Sequence, residues 1–163
     1  MTISIHPNEQ IAIAVGDQAP DFTLFDIHNQ PHQLSTALRS GPVVLVFYRG
    51  DWCGWCQLQT AQLAQAYDKF LDAGVSLWAI SPQQQETNQQ FSEKREIPYP
   101  ILADNNLAVI DEWGLRHELN PDQENIPYPT TYVINEDGSI HWRHLGGSKE
   151  DRPTTEEILA ALP

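Results

Sequence analysis

Apolar residues along the chain form two kinds of pattern, continuous runs and helically spaced positions. Residues 42–48 and 75–81 are runs of mainly β-branched, aromatic and aliphatic side chains, typical of strands buried on both faces of a sheet. Residues 53–73 carry apolar side chains at helical spacing and are followed by Gly74, a common helix end. Residues 83–95 predict a second, largely polar helix. The pattern therefore predicts strand, helix, strand and helix in succession.

Shorter segments complete this order. They are a strand pair within residues 15–35, a strand at 101–103, a short helix at 107–113, a polar loop at 115–127, a hairpin with strands at 130–135 and 140–144, and a final helix after Thr154. Thr154 and Glu157 have the spacing of a capping box, which supports the start of that helix.

Strands that alternate with helices indicate a parallel sheet covered on both faces, and the late hairpin adds antiparallel strands. We therefore predict an α/β fold with a central mixed sheet flanked by helices and a short N-terminal strand extension. No repeat, low-complexity segment or linker interrupts the sequence, so we expect one domain over residues 1–163.

The charge balance excludes several kinds of partner. The chain has 9 Lys and Arg against 22 Asp and Glu, for a formal net charge of −13. This balance disfavours binding to nucleic acid or to anionic membrane surfaces. No apolar stretch is long enough to predict a transmembrane helix, and the N-terminus lacks the basic region of a signal peptide. We expect a cytoplasmic protein.

Cys53 and Cys56 are the only cysteines, and two residues separate them. A bridge across so short a loop constrains little chain entropy, which disfavours a structural staple. The pair lies where a buried strand is predicted to end and a helix to begin. The unpaired N–H groups and partial positive charge of a helix N-terminus lower a thiol pKa from about 8.5 to roughly 3.5–7.5. This placement predicts a redox-active pair.

Two other interpretations of the pair are a zinc half-site and a pair of inert core cysteines. A structural zinc site needs four ligands, and the sequence has no second pair of this kind. His141 and His144 lie on a predicted strand, where their odd separation places them on opposite faces. We therefore expect neither a metal nor a cofactor.

Several neighbours of the pair are candidates for tuning it. Trp52 and Trp55 flank the cysteines and are expected to shield one side from water, and Arg49 is the nearest cation. Asp51 either tunes the site or caps the helix. Pro129 is either an ordinary proline at the start of a strand or a cis-proline beside the cysteines.

The sequence WCGWC at residues 52–56, with PTTYVIN at 129–135, resembles the thioredoxin superfamily. Residues 16–24, 43–50, 79–82 and 99–104 resemble its peroxiredoxin-like (AhpC/TSA) branch. The resemblance runs from about residue 14 to the end of the chain, and it implies a thioredoxin-like fold.

Around the two cysteines the sequence departs from both the peroxiredoxin and the thioredoxin pattern. The peroxiredoxin loop Pro-x-x-x-Thr/Ser-x-x-Cys places its peroxidatic cysteine on Cys56, its threonine on Cys53 and its proline on Arg49, while the family's separate arginine falls on Pro129. Arg49 or Arg152 is a candidate to replace that arginine. The thioredoxin resemblance instead makes Cys53 the attacking thiol and Cys56 the resolving one, and its buried acid falls on Phe47.

Three functions fit this sequence. The first is a thiol–disulfide oxidoreductase that cycles Cys53 and Cys56, with Cys53 preferred as nucleophile because it is nearer the helix end. The second is a thiol peroxidase that reduces hydrogen peroxide or alkyl hydroperoxides. The third is a non-catalytic redox sensor. The expected partners are a thioredoxin- or glutathione-type thiol reductant and a disulfide or peroxide substrate.

Overall fold

A seven-stranded mixed sheet forms the centre of the computed structural model, which describes residues 5–118 and 125–163. The strands follow the order β2-β1-β5-β4-β3-β6-β7 across the sheet. They are β1 (Thr23–Phe25), β2 (Pro31–Gln33), β3 (Val43–Phe47), β4 (Ser76–Ser81), β5 (Ile101–Ala103), β6 (Thr130–Ile134) and β7 (Ile140–Leu145). β3, β4 and β5 are parallel, and the other pairings are antiparallel. The predicted mixed α/β sheet is confirmed, whereas a single domain over the whole chain stays a prediction.

Helices cover both faces of this sheet. They are α1 (Leu34–Leu38), α2 (Gly54–Gln65), α3 (Tyr67–Asp72), α4 (Gln85–Arg95), α5 (Ala108–Glu112) and α6 (Thr155–Ala160). α1 and α5 contribute to the apolar cluster on one face, and α2, α3, α4 and α6 contribute to the cluster on the other. None of the helices in the described residues is long and apolar enough to cross a membrane.

Strand β3 explains why its sequence is an uninterrupted apolar run. It pairs with β4 on one side and with β6 on the other, so it is central to the sheet. Its side chains alternate between the two apolar clusters: Val43, Leu45 and Phe47 enter one, and Val44 and Val46 enter the other. The end of β3 is therefore held firmly, and the cysteine loop follows it directly.

Two predictions about helices were wrong. Residues 53–73 are two helices, because the backbone leaves helical geometry at Ala66 (φ −98°, ψ 5°) and restarts at Tyr67. The restart lets the Tyr67 ring pack against Tyr99, with centroids 5.8 Å apart. The sequence interpretation also missed α1, whose five residues bury only Leu34 and Leu38 and so leave too short a periodic signal.

Several turn and cap predictions are confirmed. Gly74 follows α3 with a φ of +75°, and Gly138 turns the hairpin with a φ of +88°. Both bonds of the capping box between Thr154 and Glu157 are present at the start of α6. The predicted polar loop lies partly outside the described residues, at 119–124, and its two ends are joined by the His117 N–H, which donates to the Ile126 carbonyl.

Candidate active site

Cys53 lies at the junction between β3 and α2, as predicted. It is the N-cap residue of α2, and its extended backbone (φ −88°, ψ 116°) leads into the first helical turn. Its Sγ accepts the N–H of Cys56 at 3.3 Å, in the way that a serine or aspartate oxygen caps a helix. The sulfur therefore occupies the position where a helix stabilises negative charge most strongly.

The two cysteines are both buried and both reduced. Cys53 is 4% exposed and Cys56 is fully buried. A hydrogen bond from the Cys56 thiol is the largest cause that lowers the pKa of Cys53, to about 5; the Cys56 amide, Arg152 and Arg49 add to it against the effect of burial. The same hydrogen bond and burial raise the pKa of Cys56. The pair therefore holds its negative charge on Cys53 at neutral pH.

Arg152 reaches the sulfurs from the loop before α6. Its Nη2 lies 3.1 Å from Cys56 Sγ and 3.9 Å from Cys53 Sγ. The rest of its guanidinium is also held, because Nη1 donates to Gln59 Oε1 at 2.6 Å and Nε donates to the Lys149 carbonyl at 2.7 Å. The predicted candidate Arg152 is thus fixed within the cysteine site.

Arg49 approaches Cys53 from the other flanking segment. Its Nη1 lies 3.9 Å from Cys53 Sγ, and its guanidinium carbon lies 5.2 Å from the centroid of the Trp52 ring. In the described part of the chain, neither Arg49 nor Arg152 forms an ion pair with a carboxylate. The structure thus places both arginine candidates at the same thiolate.

Trp52 and Trp55 form an apolar rim around the cysteines. They remain 46% and 44% exposed, respectively, so they border the site without covering it fully. Trp55 also lines a groove of about 200 Å³ together with Leu58 and the arginine side chain of residue 152. The rim leaves a surface beside the pair on which a larger substrate can rest.

The sequence also matches the AhpC/TSA family model over residues 15–143. This chain belongs to the AhpC/TSA family. The match spans most of the sheet and includes the whole cysteine loop.

Individual proteins similar to this chain are named as peroxiredoxins and as thiol-disulfide oxidoreductases. The chain is 31% identical to chloroplastic peroxiredoxin Q of Sedum lineare over 78% of this chain and 67% of that one. It is also 31% identical to the thiol-disulfide oxidoreductase ResA of Halalkalibacterium halodurans, over 90% and 76% of the two chains. The crystal structure of peroxidoxin BcpB from Mycobacterium tuberculosis superposes with a TM-score of 0.80 at 26% identity, over 91% and 96% of the chains. The protein is a thiol-dependent oxidoreductase with a thioredoxin-like fold.

Of the two alternatives for Pro129 in this AhpC/TSA-family chain, the structure shows an ordinary proline that precedes a strand. The Tyr128–Pro129 peptide bond is trans, the isomer that X–Pro bonds favour by about 0.5–1 kcal/mol. The extended chain lets the Tyr128 N–H donate to the Leu115 carbonyl at 2.8 Å. The Pro129 carbonyl accepts the Gly146 N–H at 2.9 Å, so Pro129 supports the loop that carries Arg152.

Asp51 does not cap α2, because Cys53 occupies the cap position. Its backbone and side chain bond to one glutamine instead: the Asp51 N–H donates to Gln83 Oε1 at 3.0 Å, and Gln83 Nε2 donates to Asp51 Oδ1 at 2.8 Å. The side chain of Gln57 also donates to the Asp51 carbonyl at 2.7 Å. Asp51 therefore fixes the shape of the cysteine loop.

Sequence reasoning missed Gln59, which orients Arg152. Gln59 follows Cys56 by three residues in α2 and so lies on the same face of the helix. It is only 6% exposed, although it is a polar residue on a surface helix. Its spacing of three residues from Cys56 is the one sequence signal that pointed to it, because its burial is visible only in the structure. In the described residues, no three His, Cys, Asp or Glu side chains cluster to hold a metal.

Proposed function

We propose that this chain reduces hydroperoxides, with Cys53 as the attacking thiolate and Cys56 as the resolving thiol. The observation that carries the proposal is the convergence of Arg49 and Arg152 on Cys53, each with a guanidinium nitrogen 3.9 Å from its sulfur. The sulfur is nearly buried, which favours a small oxidant over a folded protein. Two guanidinium groups supply the hydrogen-bond donors that a breaking O–O bond requires.

The chemistry proceeds in three steps. The Cys53 thiolate attacks one peroxide oxygen, the O–O bond breaks, and Cys53 becomes a sulfenic acid while the leaving alkoxide takes a proton from water and departs as the alcohol. The Cys56 thiol then attacks the sulfenic sulfur, which forms the Cys53–Cys56 disulfide and releases water. Two thiols of an external reductant finally exchange with this disulfide and restore both cysteines.

The two arginines take over the work of family residues that this chain lacks. In the peroxiredoxin pattern a threonine and a separate arginine hold the peroxide, and those positions are Cys53 and Pro129 here. Arg152 is well placed for this work because Gln59 and the Lys149 carbonyl fix its guanidinium. Arg49, whose guanidinium lies over the Trp52 ring, supplies the second donor.

A second candidate function is the reduction of protein disulfides by the same cysteine pair. The half-exposed rim of Trp52 and Trp55 favours it, because apolar surface beside a redox site suits a protein partner. The ResA relative, which matches 90% of this chain, supports it as well. For either reaction we propose a thioredoxin- or glutathione-type thiol reductant, and we propose the cytoplasm as the compartment.

One experiment separates the two functions. Reduced protein is mixed in stopped flow with hydrogen peroxide and, separately, with insulin and a thiol donor. We expect fast oxidation by peroxide and slow reduction of insulin; the reverse order would establish the disulfide reductase instead.

Cysteine variants test the roles of the two thiols. Cys53→Ser should abolish the reaction with peroxide. Cys56→Ser should still complete the first step and accumulate a sulfenic acid on Cys53 that dimedone traps. Loss of the first step in Cys56→Ser, with that step retained in Cys53→Ser, would reverse the assignment of the nucleophile. A pair that forms a disulfide but turns over neither substrate would leave only a redox sensor.

A further inference from the structure

Arg152 belongs to a short loop at residues 146–152, between β7 and α6, which we call the arginine loop. The guanidinium of Arg152 contacts both sulfurs, so the position of this loop determines where its positive charge lies relative to them. A displacement of about 1 Å at a reacting group can cost a factor of 100 in rate. The contacts that hold the loop therefore bear directly on the site.

Asp151 links two parts of the arginine loop and its surroundings through its carboxylate. One carboxylate oxygen, Oδ2, accepts the Gly147 N–H at 2.9 Å, and the other, Oδ1, lies 2.8 Å from His144 Nε2 at the end of β7. Burial alone would raise the pKa of Asp151, but the hydrogen bonds from Gly147 and His144 outweigh it and lower that pKa. The carboxylate thus ties the end of the loop both to its beginning and to the sheet.

The beginning of the arginine loop is held by two further segments. The Gly146 N–H donates to the Pro129 carbonyl at 2.9 Å, and the Gly146 carbonyl lies 2.8 Å from His6 Nε2. A Cβ at Gly146 would collide with the carbonyl oxygens of Pro129 and Asp151. The loop is therefore packed tightly against its supports at Gly146.

We propose that the His144–Asp151 pair is a positioning device that holds Arg152 against the cysteine sulfurs. The inference rests on the proposed function, in which Arg152 acts on the oxidant at Cys53. Asp151 is the residue next to Arg152 in the chain, so the bonds of its carboxylate fix the backbone from which the guanidinium extends. Neither His144 nor Asp151 touches a sulfur within hydrogen-bond distance, which makes them positioning residues.

The chain contains a matched control for this pair. His32 Nε2 lies 2.7 Å from Asp26 Oδ2, and Asp26 also accepts backbone N–H groups, those of His28 and Gln30. This second His–Asp pair involves β2 and the turn after β1, at the edge of the sheet opposite β7. It therefore has similar chemistry without a connection to the arginine loop.

The test compares Asp151→Ala and Asp151→Asn with Asp26→Ala. Two quantities are measured in each reduced protein: the pH midpoint of the Cys53 thiolate by ultraviolet absorbance, and the second-order rate constant with hydrogen peroxide. We expect Asp151→Ala to raise the midpoint and to slow the peroxide reaction by about tenfold or more. Asparagine can still accept the Gly147 N–H and bond to the His144 ring, so Asp151→Asn should recover most of the rate. Asp26→Ala should match the wild type in both quantities, even if it unfolds at a lower temperature.

Two further variants keep the outcomes distinct. His144→Ala removes the same contact with the Asp151 carboxylate and replaces Asp151→Ala if that variant does not fold; the same slowing is expected. Arg152→Ala tests the proposed function itself. A slow Arg152→Ala together with a normal Asp151→Ala or His144→Ala would overturn this inference alone, whereas an unaffected Arg152→Ala would remove the role of Arg152 on which both proposals depend.

Discussion

Gln59 Oε1 accepts a 2.6 Å hydrogen bond from Arg152 Nη1, and the neighbouring Nη2 of the same guanidinium contacts Cys56 Sγ at 3.1 Å. An uncharged acceptor thus orients the cation without neutralising it. The full positive charge of Arg152 remains available to the sulfurs.

Gln59→Leu keeps a side chain of similar size but removes the acceptor for Arg152, so it should lower both stability and the peroxide rate. Losing this acceptor leaves a donor of the partly buried Arg152 guanidinium unpaired, at a cost of about 1 kcal/mol in the free energy of unfolding. It should also slow the peroxide reaction by about tenfold, because Arg152 loses its orientation. Stopped-flow rates and urea denaturation measure the two effects. Gln65→Leu, at an exposed position of the same helix, is the control and should leave the rate unchanged; equal rates in both variants would show that Gln59 has no orienting role.

The reaction rate with peroxide should titrate with the Cys53 thiolate. Its pKa is lowered to about 5, first by the Cys56 thiol and then by the Cys56 amide and the two arginines. The second-order rate constant should rise with a midpoint near that pH and stay level up to neutral pH. Cys56→Ser replaces the thiol donor by a hydroxyl and should move the midpoint. A wild-type midpoint near the ordinary thiol value of about 8.5 would contradict the assigned electrostatics.

The stability of the reduced protein should depend on pH through the same group. The pKa of Cys53 is lower in the folded than in the unfolded chain, so its thiolate stabilises the fold above the unfolded pKa of about 8.5. This contribution decreases as the pH falls and is lost near pH 5. Denaturation of reduced wild type and Cys53→Ser at several pH values measures it. The difference between the two proteins should grow with pH across this window; a constant difference would speak against a thiolate in the fold.

Gly146→Ala should destabilise the protein, whereas Gly147→Ala should not. The added methyl at Gly146 meets the carbonyl oxygens of Pro129 and Asp151, and overpacking of this kind costs about 1–3 kcal/mol. At Gly147 the nearest atoms would lie 3.7 and 3.8 Å away, in ordinary contact. Thermal unfolding compares the two variants directly. Equal melting temperatures would mean that the arginine loop adjusts easily to the extra methyl.

Trp55→Ala should affect large and small substrates differently. Trp55 lies on the rim and is 44% exposed. We expect a docking protein substrate to contact it, whereas hydrogen peroxide is too small to need it. We expect insulin reduction to slow by about tenfold, as for an aromatic hot spot, while the peroxide rate stays within about twofold of wild type. Leu71→Ala, an exposed apolar position in α3, is the control. A uniform loss in both reactions would indicate damage to the cysteine loop instead.

The sequence was most informative where the signal is local. The change from the buried run at 42–48 to helical spacing at 53–73 was enough to place Cys53 at a helix N-terminus, because strand and helix periods differ clearly. It was not enough to place Arg152, whose contact with Cys53 spans 99 residues of chain. Only the family resemblance made Arg152 a candidate.

The errors also have physical causes. The sequence left the isomer at Pro129 open, because the partners of its neighbouring backbone groups, Leu115 and Gly146, lie far away along the chain. The interruption at Ala66 leaves the apolar spacing unchanged, so the pattern could not show it. Gln59 carries no charge, and a glutamine on a helix is ordinarily a solvated surface residue.

Arg49 and Arg152 have no carboxylate partner in the described residues, and the net charge of the site they form changes during each proposed cycle. In the reduced protein one thiolate offsets part of the charge of Arg49 and Arg152. Formation of the disulfide removes that negative charge, and both guanidinium groups then face a neutral bond. Under the proposed cycle we therefore expect the electrostatic potential beside the cysteines to be more positive in the disulfide form, which would favour the approach of an anionic thiolate reductant to the oxidised protein.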